Sequence, residues 1–279
     1  MARLDPALLA DGTLWIIGCG NMGRAMLDRW IACGLDPARV CVIDPALPTI
    51  GQGVTVLAAP DPGAPPPNVV LLAVKPQMLD VAATAIAPLL GAQTLLISIL
   101  AGVSIAALRK RVAAPANIAR AMPNLPVAIG AGVVALYGVA GQPEAARLEG
   151  LMVPLGATEW LDEETHFDAV TALSGSGPAF VARFIEAMAT GGVALGLSSE
   201  QAARMALATV GGTAALLDAS GEDLAAMARR VTSPNGTTQA GLTVLDEGSL
   251  FTARVAATLE AAARRSAELR PETDHICTP

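Results

Sequence analysis

Leu14-Trp15-Ile16-Ile17-Gly18-Cys19-Gly20-Asn21-Met22-Gly23 decides the fold of this chain. Four apolar residues, enough for a short buried strand, run directly into glycines spaced G-x-G-x-x-G, and a helix is expected over residues 22–32, closed by Cys33-Gly34. A glycine triplet alone says little. Between a strand and a helix it reads as a dinucleotide-binding turn. Gly18 then permits the tight turn and Gly20 lets the backbone approach a pyrophosphate. The helix that follows Asn21, from about Met22, has its N-terminus facing the phosphates, and Gly23 lets that helix pack on the strand.

Outward from this turn, Val40-Cys41-Val42-Ile43 is the next expected strand and ends in Asp44-Pro45. Asp44 stands where an acid holds the ribose 2′-hydroxyl of NAD, about 20 residues beyond the glycines. The alternative is that it merely initiates the Asp-Pro turn. No Lys or Arg follows closely, so a clamp for the 2′-phosphate of NADP is missing, and the lean is towards NADH over NADPH. Residues 68–74, 94–99 and 117–122 read as further buried strands, with helical segments between several of them. That alternation means a parallel sheet covered on both faces. Ala73-Val74-Lys75-Pro76-Gln77 ends one of these strands. Ligands gather beyond the carboxyl ends of such strands, which places Lys75 near the cofactor; a plain surface lysine is the alternative for Lys75. The proline-rich residues 60–67 read as a surface connection inside this domain.

The 279 residues allow two domains, and 53% apolar against 15% charged residues allow a large core. A net charge of -7 argues against a nucleic-acid surface. Cys19, Cys33, Cys41 and Cys277 lack paired spacing or a His cluster, so they read as reduced thiols of a cytosolic protein, with no metal site. Residues 81–108 carry no charge and are long enough to span a bilayer. Pro88, Gly91, Gln93, Ser98 and Gly102 instead divide them into helix, turn, strand and turn; the uncharged residues 123–143 are broken in the same way. No basic segment followed by an apolar one marks a signal peptide, and no membrane association is expected.

From about Asp162 the strand signals stop. Residues 201–217 carry a single charge, Arg204, and a helix apolar all round must be buried all round. The remaining helices are too few to surround it, so a second copy of the chain is expected to do so, as an intertwined homodimer. Further assembly of dimers is left open. Gly211-Gly212 would permit close helix approach, and residues 271–279 read as a frayed polar tail. The expected architecture is an α/β Rossmann-type doubly wound sheet over residues 1–161, followed by an all-helical dimerisation and substrate-binding domain over residues 162–279.

That second half contains Val231-Thr232-Ser233-Pro234-Asn235-Gly236-Thr237-Thr238-Gln239-Ala240-Gly241, which has four hydroxyls and no charge. It is poor at packing and rich in hydrogen-bond groups. A plain helix–helix connection, with Thr237 or Thr238 capping the next helix, is the alternative reading. Ser174 and Ser176, between glycines, read as a kink that lets a long helix pass near the nicotinamide, or as a simple distortion.

With these pieces placed, the chain resembles the pyrroline-5-carboxylate reductase family over nearly its whole length. The glycine loop, Ala73-Val74-Lys75-Pro76-Gln77, Ser98-Ile99-Leu100-Ala101-Gly102-Val103 and Arg120-Ala121-Met122-Pro123-Asn124-Leu125-Pro126 carry the likeness. So do residues 168–179, and the hydroxyl segment resembles the family signature. Departures are Asn235 where the family usually has Gly, Gln239 where it has an apolar residue, and Phe180 where Tyr is frequent.

The resemblance implies NAD(P)H-dependent reduction of 1-pyrroline-5-carboxylate to L-proline. It implies that Ser233, Gly236 and Thr237 bind the substrate carboxylate, and that Thr238 is the catalytic contact to the ring nitrogen. It also implies that this loop can reach the active site of the other subunit. A protonated imine needs little acid catalysis, which suits a chain whose histidines are only His166 and His275. A β-hydroxyacid dehydrogenase would need a lysine in the helical half, and none follows Lys110. A reductase of a six-membered cyclic imine stays open as an alternative. A non-catalytic dinucleotide sensor is disfavoured, because it would have lost the hydroxyl loop.

Overall fold

The computed structural model describes residues 4–9, 12–139 and 141–270. The expectations for Cys277, His275 and the tail over 271–279 lie outside these. Eight strands form one sheet: β1 (Leu14–Ile17), β2 (Val40–Ile43), β3 (Thr55–Leu57), β4 (Val69–Leu72), β5 (Leu95–Ser98), β6 (Asn117–Pro123), β7 (Gly132–Tyr137) and β8 (Gly156–Trp160). Their order is β3-β2-β1-β4-β5-β6-β7-β8. Pairing is parallel throughout except between β6 and β7. Sequence order reverses between β1 and β4, which is where an open α/β sheet binds ligands.

Alternation along each strand builds two cores. Leu14, Ile16, Val69 and Leu71 face one side, with Met26, Leu27 and Trp30 of α1 (Asn21–Ala32) packed on them. Trp15, Ile17, Val70 and Leu72 face the other. There they meet Leu79, Ala83 and Ile86 of α2 (Leu79–Ile86) and Ala107 and Leu108 of α3 (Ile105–Arg109). Each fully buried side chain of this kind is worth about 1.5–3 kcal/mol. Helix α4 (Gln142–Met152) joins the first core, and Trp30 Nε1 donates to Leu151 O at 2.6 Å.

The remaining helices are α5 (Phe167–Val170), α6 (Gly177–Ala194), α7 (Ser199–Ser220), α8 (Leu224–Arg230), α9 (Thr237–Leu245) and α10 (Leu250–Glu268). The chain forms two compact units. One holds the chain up to Ser176 and from Ala262 onward; the other is Gly177–Ala261. The division falls within a distorted helical stretch: Thr171–Gly175 is a π-helical turn in which Ser176 N donates to Thr171 O at 2.8 Å. Asn124, 8% exposed, grips that turn, donating from Nδ2 to Ser174 O while its Oδ1 accepts from Val133 N. The end of α10 is held to α5, because Ser266 Oγ donates to Asp168 Oδ1 at 2.9 Å and Arg270 pairs with the same carboxylate.

In the helical unit α7 keeps only Ala202 and Ala206 buried within the chain. Apolar residues such as Met205, Leu207, Leu224, Val244 and Leu250 stand exposed. Among the described residues, the helix expected to be enclosed keeps most of its surface open. Among the described residues, no helix is long and apolar enough to cross a membrane.

Candidate active site

The glycine turn hangs between two strand ends, with Gly18 N donating to Ile43 O at 2.9 Å and Ala73 N donating to Ile17 O at 2.8 Å. Gly18 has φ +82°, and a Cβ there would lie 2.8 Å from Val74 Cγ1. A Cβ on Gly23 would stand 3.1 Å from the Cβ of Ala73, so helix and strand touch at that point. Gly20 differs: a Cβ there meets nothing within 4 Å. The open space lies at the start of α1, whose N-cap, Gly20, offers no side-chain hydrogen bond. Free N–H groups beside open space fit a pyrophosphate.

Asp44 does two structural jobs. Its Oδ2 accepts from Cys19 N at 2.8 Å, and its Oδ1 accepts from Ala46 N at 2.9 Å. The Asp-Pro turn is thus real, and the same carboxylate also holds the glycine loop. Burial pushes the Cys19 thiol up from its ordinary range; Arg24 opposes this, and Asp44 and Asp28 add to it. A thiol held protonated is a poor nucleophile, so Cys19 packs rather than reacts.

A cleft of about 540 Å³ opens beside the turn. Gly18, Gly20, Asp44, Ala73, Val74 and Lys75 all border it. Asn21, Met22 and Pro76 lie in the same turns without lining it. Sequence reasoning missed the opposite wall, formed by Ala58-Ala59-Pro60 with Met78, Val81 and Ala82. Val81 is 65% exposed, an apolar side chain at the mouth of a slot suited to a flat base. The only available signal was an apolar residue on the outer face of a short helix. No cation follows Asp44 closely in the sequence, but one arrives from α1. Arg24 donates to Thr49 O at 2.7 Å, with its charge answered by Asp28 at 2.7 Å.

The hydroxyl segment belongs to the helical unit. Helix α8 stops at Arg230, a turn follows, and α9 starts after Gly236 with no side-chain cap. Thr232 and Thr243 donate to carbonyls four residues back, as do Thr190, Thr209 and Thr258. Among the described residues the hydroxyls of Ser233, Thr237 and Thr238 make no such bond. Thr237 and Thr238 open the helix, where no helical carbonyl lies behind them. Two of the three positions that depart from the family pattern are bonded to each other, Asn235 N donating to Gln239 Oε1 at 2.6 Å.

A buried charge also escaped sequence reasoning. Arg120 on β6 is 6% exposed; it donates to Glu164 Oε1 at 3.0 Å and lies 3.9 Å over the Phe167 ring. These partners lie over 40 residues away in the chain, and no local pattern announces them. The contacts fasten α5 to the end of the sheet.

A doubly wound sheet, a glycine turn without a side-chain cap and a cleft at the strand ends have the form of a dinucleotide-binding domain. Residues 13–102 match a family model described as "NADP oxidoreductase coenzyme F420-dependent", and residues 164–269 match one described as "Pyrroline-5-carboxylate reductase dimerisation". A pyrroline-5-carboxylate reductase of Pseudomonas aeruginosa is 38% identical, covering 91% of this chain and 95% of that protein. A solved pyrroline-5-carboxylate reductase from Coxiella burnetii superposes with a TM-score of 0.85 at 31% identity, over 93% of this chain and 99% of that one. One from Plasmodium falciparum with NADP bound superposes with a TM-score of 0.80 at 26% identity, over 94% of this chain and 100% of that one. The chain belongs to the pyrroline-5-carboxylate reductase family.

Proposed function

We propose that this chain, as a homodimer, reduces 1-pyrroline-5-carboxylate to L-proline with a nicotinamide dinucleotide. The observation that carries the substrate assignment is the unspent hydrogen-bonding capacity of the turn before α9. Among the described residues the hydroxyls of Ser233, Thr237 and Thr238 have no hydrogen-bond partner, and they stand at a helix start without a side-chain cap. Unpaired N–H groups with a positive helix end favour a carboxylate. Ser233, Gly236 and Thr237 hold that carboxylate, and the Thr238 hydroxyl hydrogen-bonds the ring nitrogen. The bound dinucleotide supplies the hydride for the imine carbon. The ring nitrogen arrives protonated, so the protein's contribution is orientation and charge placement rather than proton delivery.

For the cofactor, Gly18, Gly20, Asn21, Met22 and Gly23 cradle the pyrophosphate, and Ala73, Val74, Lys75 and Pro76 border its path. Asp44 has lone pairs left for a ribose hydroxyl and would repel a 2′-phosphate, which favours NADH. The dimerisation domain begins near residue 162 in this reading, with its first residues, up to Ser176, and its last, from Ala262, packed into the sheet unit, and the second copy covers α7 in an intertwined pair. The test is nucleotide oxidation by purified protein with five- and six-membered cyclic imine acids, each with NADH and NADPH. Turnover is expected with the five-membered ring, faster with NADH. No oxidation of either nucleotide would sink the reading, and a preference for the six-membered ring would replace the substrate.

A further inference from the structure

Asn235 has φ +56°, a left-handed conformation that asparagine bears better than other residues with a Cβ but still at a cost. Two contacts hold the chain there. Gly236 N donates to Ser233 O at 3.0 Å, closing the turn. Asn235 N donates to Gln239 Oε1, reaching from the third residue of α9 to the residue ahead of its N-cap. A side chain at this helical position is well placed to fold back over the helix start. A Cβ on Gly236 would lie 2.3 Å from Ser233 Oγ, so the serine hydroxyl rests directly over the glycine Cα. The directions of Ser233 Oγ and of the first N–H groups of α9 are therefore set by one short turn, and Gln239 ties that turn to the helix.

We propose that Gln239 is a positioning residue for the substrate turn. Its carboxamide oxygen accepts from Asn235 N–H, holds Asn235 left-handed, and so keeps Ser233, Thr237 and Thr238 aligned before substrate arrives. The inference rests on the assignment of this turn as the carboxylate cradle. Gln239 acts on substrate through the Asn235 amide rather than by touching the reacting atoms. Without that acceptor the turn samples other conformations, and substrate binding must order it. The loss then falls on KM for the imine rather than on kcat or on nucleotide affinity.

The experiment uses the full-length dimer. Gln239→Ile removes the acceptor at similar size, Gln239→Glu keeps it, and Asn235→Gly combined with Gln239→Ile removes the strain that the bond offsets. Gln239→Ile is expected to raise KM for pyrroline-5-carboxylate about fivefold, the value of one ordinary hydrogen bond. It should leave kcat and the nucleotide Kd unchanged and speed hydrogen exchange at the Asn235 amide. The double variant should recover most of the KM, because glycine adopts positive φ freely. Gln239→Glu should keep Asn235 exchange slow whatever its charge does to an anionic substrate. An unchanged KM and unchanged exchange in Gln239→Ile would overturn the proposal. So would a nucleotide Kd that rises in step with KM, losses that simply add in the double variant, or fast exchange in Gln239→Glu. A wild type that never oxidises nucleotide would fail the functional reading instead, while Asn235 exchange would still report on the turn.

Discussion

Strands β1, β4 and β5 have every residue buried, whereas α6 and α9 have none. The sheet unit completes its core within one chain: α1 and α4 close one face, and α2 and α3 the other. The helical unit leaves Leu207 at 61% and Val244 at 74% exposed. Large apolar side chains left this exposed on several helices of one unit fit an interaction face. The nucleotide site is thus framed by self-sufficient packing. The hydroxyl turn is framed by helices that await a second copy. Helices α1 and α9 each start after a glycine with no side-chain cap, as α4 also does, unlike α3, α7 and α8, which are capped by Ser104, Ser198 and Asp223.

The sharpest way to break this contrast is Leu207→Glu. In an isolated chain an exposed substitution costs under about 0.5 kcal/mol. In a dimer seam it buries an unpaired charge, which costs about 3–5 kcal/mol. We expect loss of the dimer by sedimentation and a fall in activity of about a hundredfold. A compact, fully active monomer would show that the helical unit is complete alone.

A smaller effect separates cradle from scaffold within the sheet unit. Gly20→Ala should leave the melting temperature unchanged, since its Cβ meets only open space, while weakening nucleotide binding by about thirtyfold through collision with the pyrophosphate. Gly23→Ala presses a Cβ against Ala73 and should lower stability by about 1–3 kcal/mol. If both variants lost stability equally, Gly20 would be a packing residue.

Asp44→Ser should produce the smallest shift. Losing the bonds to Cys19 N and Ala46 N loosens the glycine loop, and NADH affinity should fall about tenfold. NADPH should lose less, moving the preference towards it. An unmoved ratio in nucleotide titrations would leave Asp44 as a clamp alone.

Much of the sheet unit was legible because its signals are local. β1 and β2 fall where apolar runs meet Gly and Asp-Pro, and each glycine of the turn has its own steric reason. Three strands were not read. β3 is three half-exposed residues, β8 alternates without one buried position, and β7 lies in an uncharged run read only for its breaks. At the site, the hydroxyl turn stood out by composition. The partners of Asp44, the reach of Arg24 and the Asn235–Gln239 bond did not, because each depends on which backbone atoms the fold brings near.

The division of labour between the units is tested most directly on Thr238→Ala, by measuring nucleotide Kd and imine turnover on the same preparation. Kd is expected to stay unchanged while turnover falls about tenfold, the value of one hydrogen bond to a charged group. A collapse of nucleotide binding, or full turnover without the hydroxyl, would contradict it.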